Sequence, residues 1–248
     1  MIRSRHIGLV IFVLIALPTV ALGVPLNRFV VRSQNGFLFD PQADSSMALI
    51  NGLNDAYDMC YRLRVDGVEF RTPSVTVLFA GKGLGSPRTT VGSIDVSREI
   101  YVHEAGDWAR YYDLVVNRSN KAQTVDVEIF GNLGSDSSTK LVSTSDGDST
   151  LENSDTWFVT DDYVDGGGDP SLAHVFRRSK GRNRPRTATL QRDDISVRYQ
   201  VKLRPRAGAA IVFFAVQTKN TTEAARIARE LAAFGPVAKT NLSAAQIK

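Results

Sequence analysis

The chain has 248 residues, 43% of them apolar and 23% charged, with a formal net charge of +4 at pH 7 and a single cysteine. One cysteine excludes an intrachain disulfide, so stability must come from a buried core, and this length is ample for one all-β domain. Arg3 and Arg5 supply two of the net charges, leaving +2 for the remainder.

The first 23 residues read as a secretory signal peptide. Arg3 and Arg5 precede the unbroken apolar run IGLVIFVLIAL from Ile7 to Leu17, and Ala21 and Gly23 form a small-residue cleavage pattern. The run is shorter than the roughly 20 residues a spanning helix needs. Export to the periplasm, the cell surface or the medium is therefore expected. Residues 24–248 would then form the mature domain, without a transmembrane segment.

Asn27 to Val31 reads as a strand. Gln34-Asn35-Gly36 is a hairpin turn leading into Phe37 to Phe39. Residues 47–61 are ambiguous, although AYDMCYRLRV can extend as a strand to the Asp66-Gly67 turn, with Val68 to Phe70 returning. Cys60, among apolar and aromatic neighbours, is expected to be a small buried hydrophobe. Val75, Val77 and Phe79 alternate with Thr76 and Leu78. Gly81-Lys-Gly83-Leu-Gly85 lacks the following helix that a phosphate loop requires, so its glycines are expected to make a flexible turn.

Ile94, Val96, Ile100 and Val102 share one face of the next strand. Arg98 falls on that same face. If buried it must be paired, either with an aspartate or with an anion or sugar. After the turn Glu104 to Asp107, WARYYDLVV is a strand, and Asn117 to Lys121 turns into Val125, Val127 and Ile129. Ser196 to Leu203 alternates cleanly, and Ala209 to Val216, apolar on both faces, should be central. A helix follows, capped at Thr221 or Thr222, with Ile227, Leu231 and Phe234 as its apolar stripe and Gly235-Pro236 as its stop. A short second helix is expected from Ser243.

Between Phe130 and His174 lie eight aspartates and one basic residue, Lys140. Short strands are expected at 140–144, 156–160 and 172–176, joined by acidic loops. Asp161, Asp162, Asp165 and Asp169 sit on a loop made pliable by three glycines and are candidate Ca²⁺ ligands. The alternative is that they cap turns by bonding their own backbone. Zn²⁺ is poorly supported, with His103, His174 and Cys60 the only soft ligands of the mature chain. From Arg177 to Arg206 run eleven basic residues against Asp193 and Asp194. Within it, RRSKGRNRPR (177–186) is either an anion-binding patch or a solvated hairpin loop whose arginines meet the acidic loops. Nucleic acid is not expected, since no aromatic residues interleave with the arginines.

Trp108, Trp157, Tyr111 and Tyr163 lie in or beside Asp-rich turns, where a sugar face could stack. Trp157 and Phe158 are adjacent, so one of them should point inward. The candidate ligand-binding set is Arg98, His174, Trp157 and Tyr163. No nucleophile elbow is present.

The run SREIYV…WARYYDLVVNRSNKAQTVDVEIFGNLGSDSSTKLVSTSDGD…DTWFVTDD…GDPSLAHVF resembles the super-sandwich of galactose-mutarotase-like domains. The resemblance covers about Ser97 to Phe176. It implies an all-β fold, a large two-sheet antiparallel β-sandwich, here with a C-terminal α-helix. That superfold includes sugar epimerases and non-catalytic domains of polysaccharide lyases and phosphorylases. A mutarotase would need a His and a Glu as acid and base, and His174 and Glu128 are the available types. The expected function is an exported, non-catalytic module with an adhesive, structural or glycan-binding role at the bacterial envelope. The alternatives are a sugar-active enzyme of the same superfold and a Ca²⁺-stabilised surface domain.

Overall fold

The computed structural model describes residues 29–43, 46–181 and 184–247, so the expected signal peptide lies outside it. Among the described residues no helix is long and apolar enough to cross a membrane.

The strands are β1 (Val31–Arg32), β2 (Leu38–Phe39), β3 (Tyr57–Val65), β4 (Val68–Glu69), β5 (Thr76–Leu78), β6 (Gly83–Gly85), β7 (Thr89–Val91) and β8 (Ile94–His103). They continue as β9 (Trp108–Asn117), β10 (Gln123–Leu133), β11 (Lys140–Thr144), β12 (Trp157–Asp161), β13 (Ser171–Val175), β14 (Pro185–Gln191), β15 (Asp194–Leu203) and β16 (Gly208–Thr218). Helices α1 (Thr221–Ala232) and α2 (Ala244–Ile247) close the chain.

Three layers result. A five-stranded antiparallel sheet runs β14-β15-β10-β3-β4. A nine-stranded sheet runs β11-β12-β13-β16-β9-β8-β6-β5, with β7 also on β8. One apolar core joins the two sheets, with Val125, Val127, Val197 and Val201 on one side and Ile100, Tyr111, Phe158 and Phe213 on the other. On the large sheet's other face a second core forms, where Trp157, Val175, Phe214 and Val216 meet Ile227, Ala228 and Leu231 of α1.

This layering explains the burial patterns. In β15, Ile195, Val197, Tyr199, Val201 and Leu203 are buried while Arg198, Gln200 and Lys202 are exposed, because that sheet has one solvated face. Strands β12 and β13 are buried at every position because they have cover on both sides. Trp157 and Phe158 therefore both point inward, each into a different core. As expected, β16 is central, between β13 and β9.

Several local expectations are corrected. The cap of α1 is Asn220, whose side chain accepts from the Glu223 N–H at 2.9 Å. The arginine run 177–186 ends in a strand: Pro185 and Arg186 begin β14, which pairs with β15. Among the described residues no ion pair joins this run to the acidic loops. Gly83 and Gly85 form strand β6 between β5 and β8 instead of a turn. Small size is needed there, because a Cβ on Gly83 would lie 2.0 Å from the Ile100 carbonyl oxygen. Gly83→Ala is expected to lower stability by about 1–3 kcal/mol through overpacking. Urea unfolding checks this, and an unchanged midpoint would contradict the packing.

Strand β3 carries the sharpest irregularity. Met59 and Tyr61 adopt φ of 55° and 64°. The register with β10 shifts between Phe130 and Asn132. Gly131 fits opposite, where a Cβ would come 2.5 Å from Cys60 Cα. A non-glycine residue in this region costs about 1–3 kcal/mol, and its surroundings must hold it there. Tyr61 is held there by polar contacts to Arg98 and His174.

Candidate ligand-binding site

The sequence candidates separate into three places. Arg98 and His174 both lie on the inner face of the large sheet. Arg98 is fully buried, and so is its cross-strand partner Asp113. The guanidinium binds that carboxylate in bidentate fashion, Nε to Oδ1 at 2.7 Å and Nη2 to Oδ2 at 2.8 Å. Its Nη1 donates to the carbonyls of Ser46 at 2.9 Å and Tyr61 at 2.7 Å. The buried-arginine expectation thus resolves to an aspartate partner. The Arg98 donors are engaged within the protein.

Tyr61 joins Arg98 to His174. Its carbonyl serves the arginine, and its hydroxyl lies 2.7 Å from His174 Nδ1. His174 Nε2 pairs with Thr160 Oγ1 at 2.9 Å, and the ring stacks on Phe158 at 4.4 Å between centroids. Burial lowers the His174 pKa to about 3, so the ring is neutral at physiological pH. The strained φ of Tyr61 is where its carbonyl and ring meet these two partners. The network is sealed between the sheets. Glu128 does not meet it: Glu128 sits on the small sheet's outer side, pairing with Arg64 at 2.5 Å and Arg198 at 2.9 Å. His174 and Glu128 are therefore not placed as an acid–base pair.

Trp157 is 4% exposed and covered by α1, whereas Tyr163 is 68% exposed with Lys140 Nζ over its ring at 4.4 Å. The structure does not bring these two together with Arg98 and His174. The aspartates of 161–169 mostly serve their own turn. Asp161 accepts from Ser171 Oγ and from the Asp162 N–H, both at 2.9 Å, and burial raises its pKa. Asp162 accepts from the backbone N–H groups of Val164 and Asp169. Asp165 instead reaches the first residue of α1, accepting from the Thr221 N–H at 2.8 Å and Thr221 Oγ1 at 3.0 Å. Among the described residues no three His, Cys, Asp or Glu side chains stand together so as to hold a metal ion. Asp161, Asp162 and Asp165 thus already accept from nearby N–H and O–H groups.

An open cleft of about 520 Å³ lies elsewhere, between the tight β8–β9 connection and α1. His103 ends β8 and Trp108 begins β9, and they are register partners. Their rings stack at 4.7 Å with an interplanar angle of 12°. The connection is closed by a 3-10 turn, Glu104–Gly106, and by Asp107 in the left-handed region at φ 57°. Gly106 keeps this corner tight, since a Cβ there would lie 2.8 Å from His103 Nδ1. The Asn35 turn docks alongside: Gln34 N–H donates to the Glu104 carbonyl at 2.9 Å, and Asn35 Nδ2 donates to Asp107 Oδ2 at 2.6 Å.

Two of the residues lining this cleft carry a buried polar atom without a hydrogen-bond partner, His103 Nδ1 and Asp107 Oδ1. Asp107 is 6% exposed. Burial lowers the His103 pKa, which favours the neutral ring. The opposite wall is α1, where Arg226 clamps Glu223 and reaches Glu230 at 2.6 Å. Ile227, Leu231 and Val237 supply apolar surface. Of these residues the sequence points to Trp108 as a stacking surface and to His103 as a weak metal ligand. The missed cue is the compact run His103-Glu-Ala-Gly-Asp107-Trp108.

No family model and no curated protein matches the chain. Solved structures similar to it include galactose-mutarotase-like proteins, the group named by the sequence resemblance. A galactose mutarotase-like protein from Lactobacillus casei is 8% identical with a TM-score of 0.46, over 77% of this chain and 99% of that one. A putative aldose 1-epimerase from Klebsiella pneumoniae is 10% identical with a TM-score of 0.43, over 79% and 80%. A polysaccharide lyase is 10% identical with a TM-score of 0.45 over 71% of this chain, which spans only 28% of the lyase's length.

Proposed function

We propose that the protein is an exported glycan-binding β-sandwich whose cleft beside Asp107 takes a sugar residue. The observation that carries this reading is the pair of unpartnered buried atoms, His103 Nδ1 and Asp107 Oδ1, on two residues that line one cleft. A buried polar atom without a partner costs about 1–3 kcal/mol, and a ligand hydroxyl would remove that cost. Sugar hydroxyls both donate and accept, which suits a carboxylate beside a neutral imidazole. The apolar wall of Ile227, Leu231 and Val237 offers contact for the C–H face of a pyranose. The cleft volume falls within the range of small-ligand sites. Export rests on the pattern of residues 1–23.

Calorimetric titration with a panel of mono- and oligosaccharides tests the reading, with Trp108 fluorescence as a second signal. At least one sugar is expected to bind, and Asp107→Asn is expected to weaken it at least tenfold, or about 1.4 kcal/mol, with little change in melting. Equal affinity in the variant, or no binding across the panel, would overturn it.

A second reading, a sugar-active enzyme, is favoured by the same cleft holding a neutral imidazole beside a carboxylate, a pair able to move a proton. Polarimetry of aldose anomerisation distinguishes it, because a binding module leaves the rate at the buffer value.

A further inference from the structure

Helix α1 covers only part of the large sheet's outer face, packing over β12, β13 and β16. Beside it lies a groove of about 780 Å³. Its floor is apolar: Tyr112, Leu114 and Val116 of β9 run beside Ala210 and Val212 of β16. At 3.3 Å per residue, Tyr112 to Val116 spans about 13 Å. The loop after β13 places Arg177, Arg178 and Lys180 on the rim, and no carboxylate lines the groove among the described residues. Glu99, the register partner of Tyr112, instead accepts from Gln246 Nε2 at 2.8 Å.

Arg177 is the unusual member of this set. It is 8% exposed, yet no acid pairs with it among the described residues. Its Nη1 donates to the Ser154 carbonyl at 3.0 Å, while Nε is buried without a partner. A buried cation without a counter-charge is costly, and an incoming anion would relieve that cost. Arg178, whose guanidinium lies 4.7 Å from the Phe234 ring centroid, and Lys180 are exposed and add attraction at the same end. An apolar floor leading to an unpaired buried guanidinium matches a molecule with both characters. We infer that this groove binds a single-chain amphiphile with an anionic head, the head against Arg177, Arg178 and Lys180 and the alkyl chain along Leu114, Val116 and Val212. The site is separate from the sugar cleft, and neither reading depends on the other.

Dodecanoate below its micelle concentration is the probe, titrated calorimetrically, with dodecanol and acetate as tail-only and head-only controls. Dodecanoate is expected to bind at least tenfold more tightly than either control. The exposed double variant Arg178→Glu/Lys180→Glu is expected to weaken dodecanoate at least tenfold without changing the melting temperature. Arg177→Met should abolish binding, and if that variant fails to fold the double variant carries the test. Absence of dodecanoate binding, dodecanol binding as tightly, acetate binding as tightly, or an unaffected double variant would each overturn the assignment.

Discussion

Asp113→Ala is expected to destabilise the protein by about 3–5 kcal/mol, the range for removing one partner of a buried ion pair. Both members are fully buried, and the carboxylate meets two guanidinium donors at 2.7 and 2.8 Å. Without Asp113 the Arg98 charge stays between the sheets with only the Ser46 and Tyr61 carbonyls to accept from it. The double variant Arg98→Met/Asp113→Leu removes both charges and is expected to recover most of the loss, since apolar replacements of a buried pair are often neutral. Urea unfolding measures both. A loss below about 1 kcal/mol for the single variant, or a double variant no better than it, would contradict this account of the inner polar network.

Stability is also expected to fall as the pH drops below about 6.5, with His174 as a principal cause. Burial depresses its pKa from 6.5 to about 3. Between those values the unfolded chain binds a proton that the folded chain does not. The His174 contribution is therefore fully present above pH 6.5 and is lost progressively toward pH 3, by up to about 1.4 kcal/mol per unit. Hydrogen bonding alone would not impose this, because the hydroxyls of Tyr61 and Thr160 could both accept from an imidazolium. Desolvation imposes it. Carboxylates also titrate in this window, so the comparison with His174→Gln isolates the effect. The variant should show a slope shallower by one proton between pH 4 and 6, and parallel curves would refute a neutral buried imidazole.

How much of this was legible follows from which faces are solvated. Strands β8, β10 and β15 could be read from sequence because each alternates at period two. Arg98 stood out as a charge on an apolar face, and it is indeed buried and paired. Its partner Asp113 did not stand out, because pairing across β8 and β9 is a matter of register. Trp157 and Phe158 were read as alternatives, since a two-layer picture has one inner face. The α1 layer supplies the second. β6 was hidden by its glycines, which the backbone of Ile100 requires, and β14 by the arginine-rich stretch that leads into it. The acidic stretch drew attention through composition alone, and its carboxylates are largely spent on nearby backbone N–H groups. The cleft that remains is assembled from Asn35, His103 to Trp108 and α1, three segments far apart in sequence. Its marker, polar atoms left without partners, exists only once every other pairing is known.

The measurement closest to the central claim is a crystal structure of the protein soaked with the tightest-binding sugar of the panel. The account predicts a sugar ring in the cleft between Asp107 and α1, with hydroxyls within hydrogen-bond distance of Asp107 Oδ1 and His103 Nδ1. A sugar bound at another surface, with this cleft empty, would contradict it.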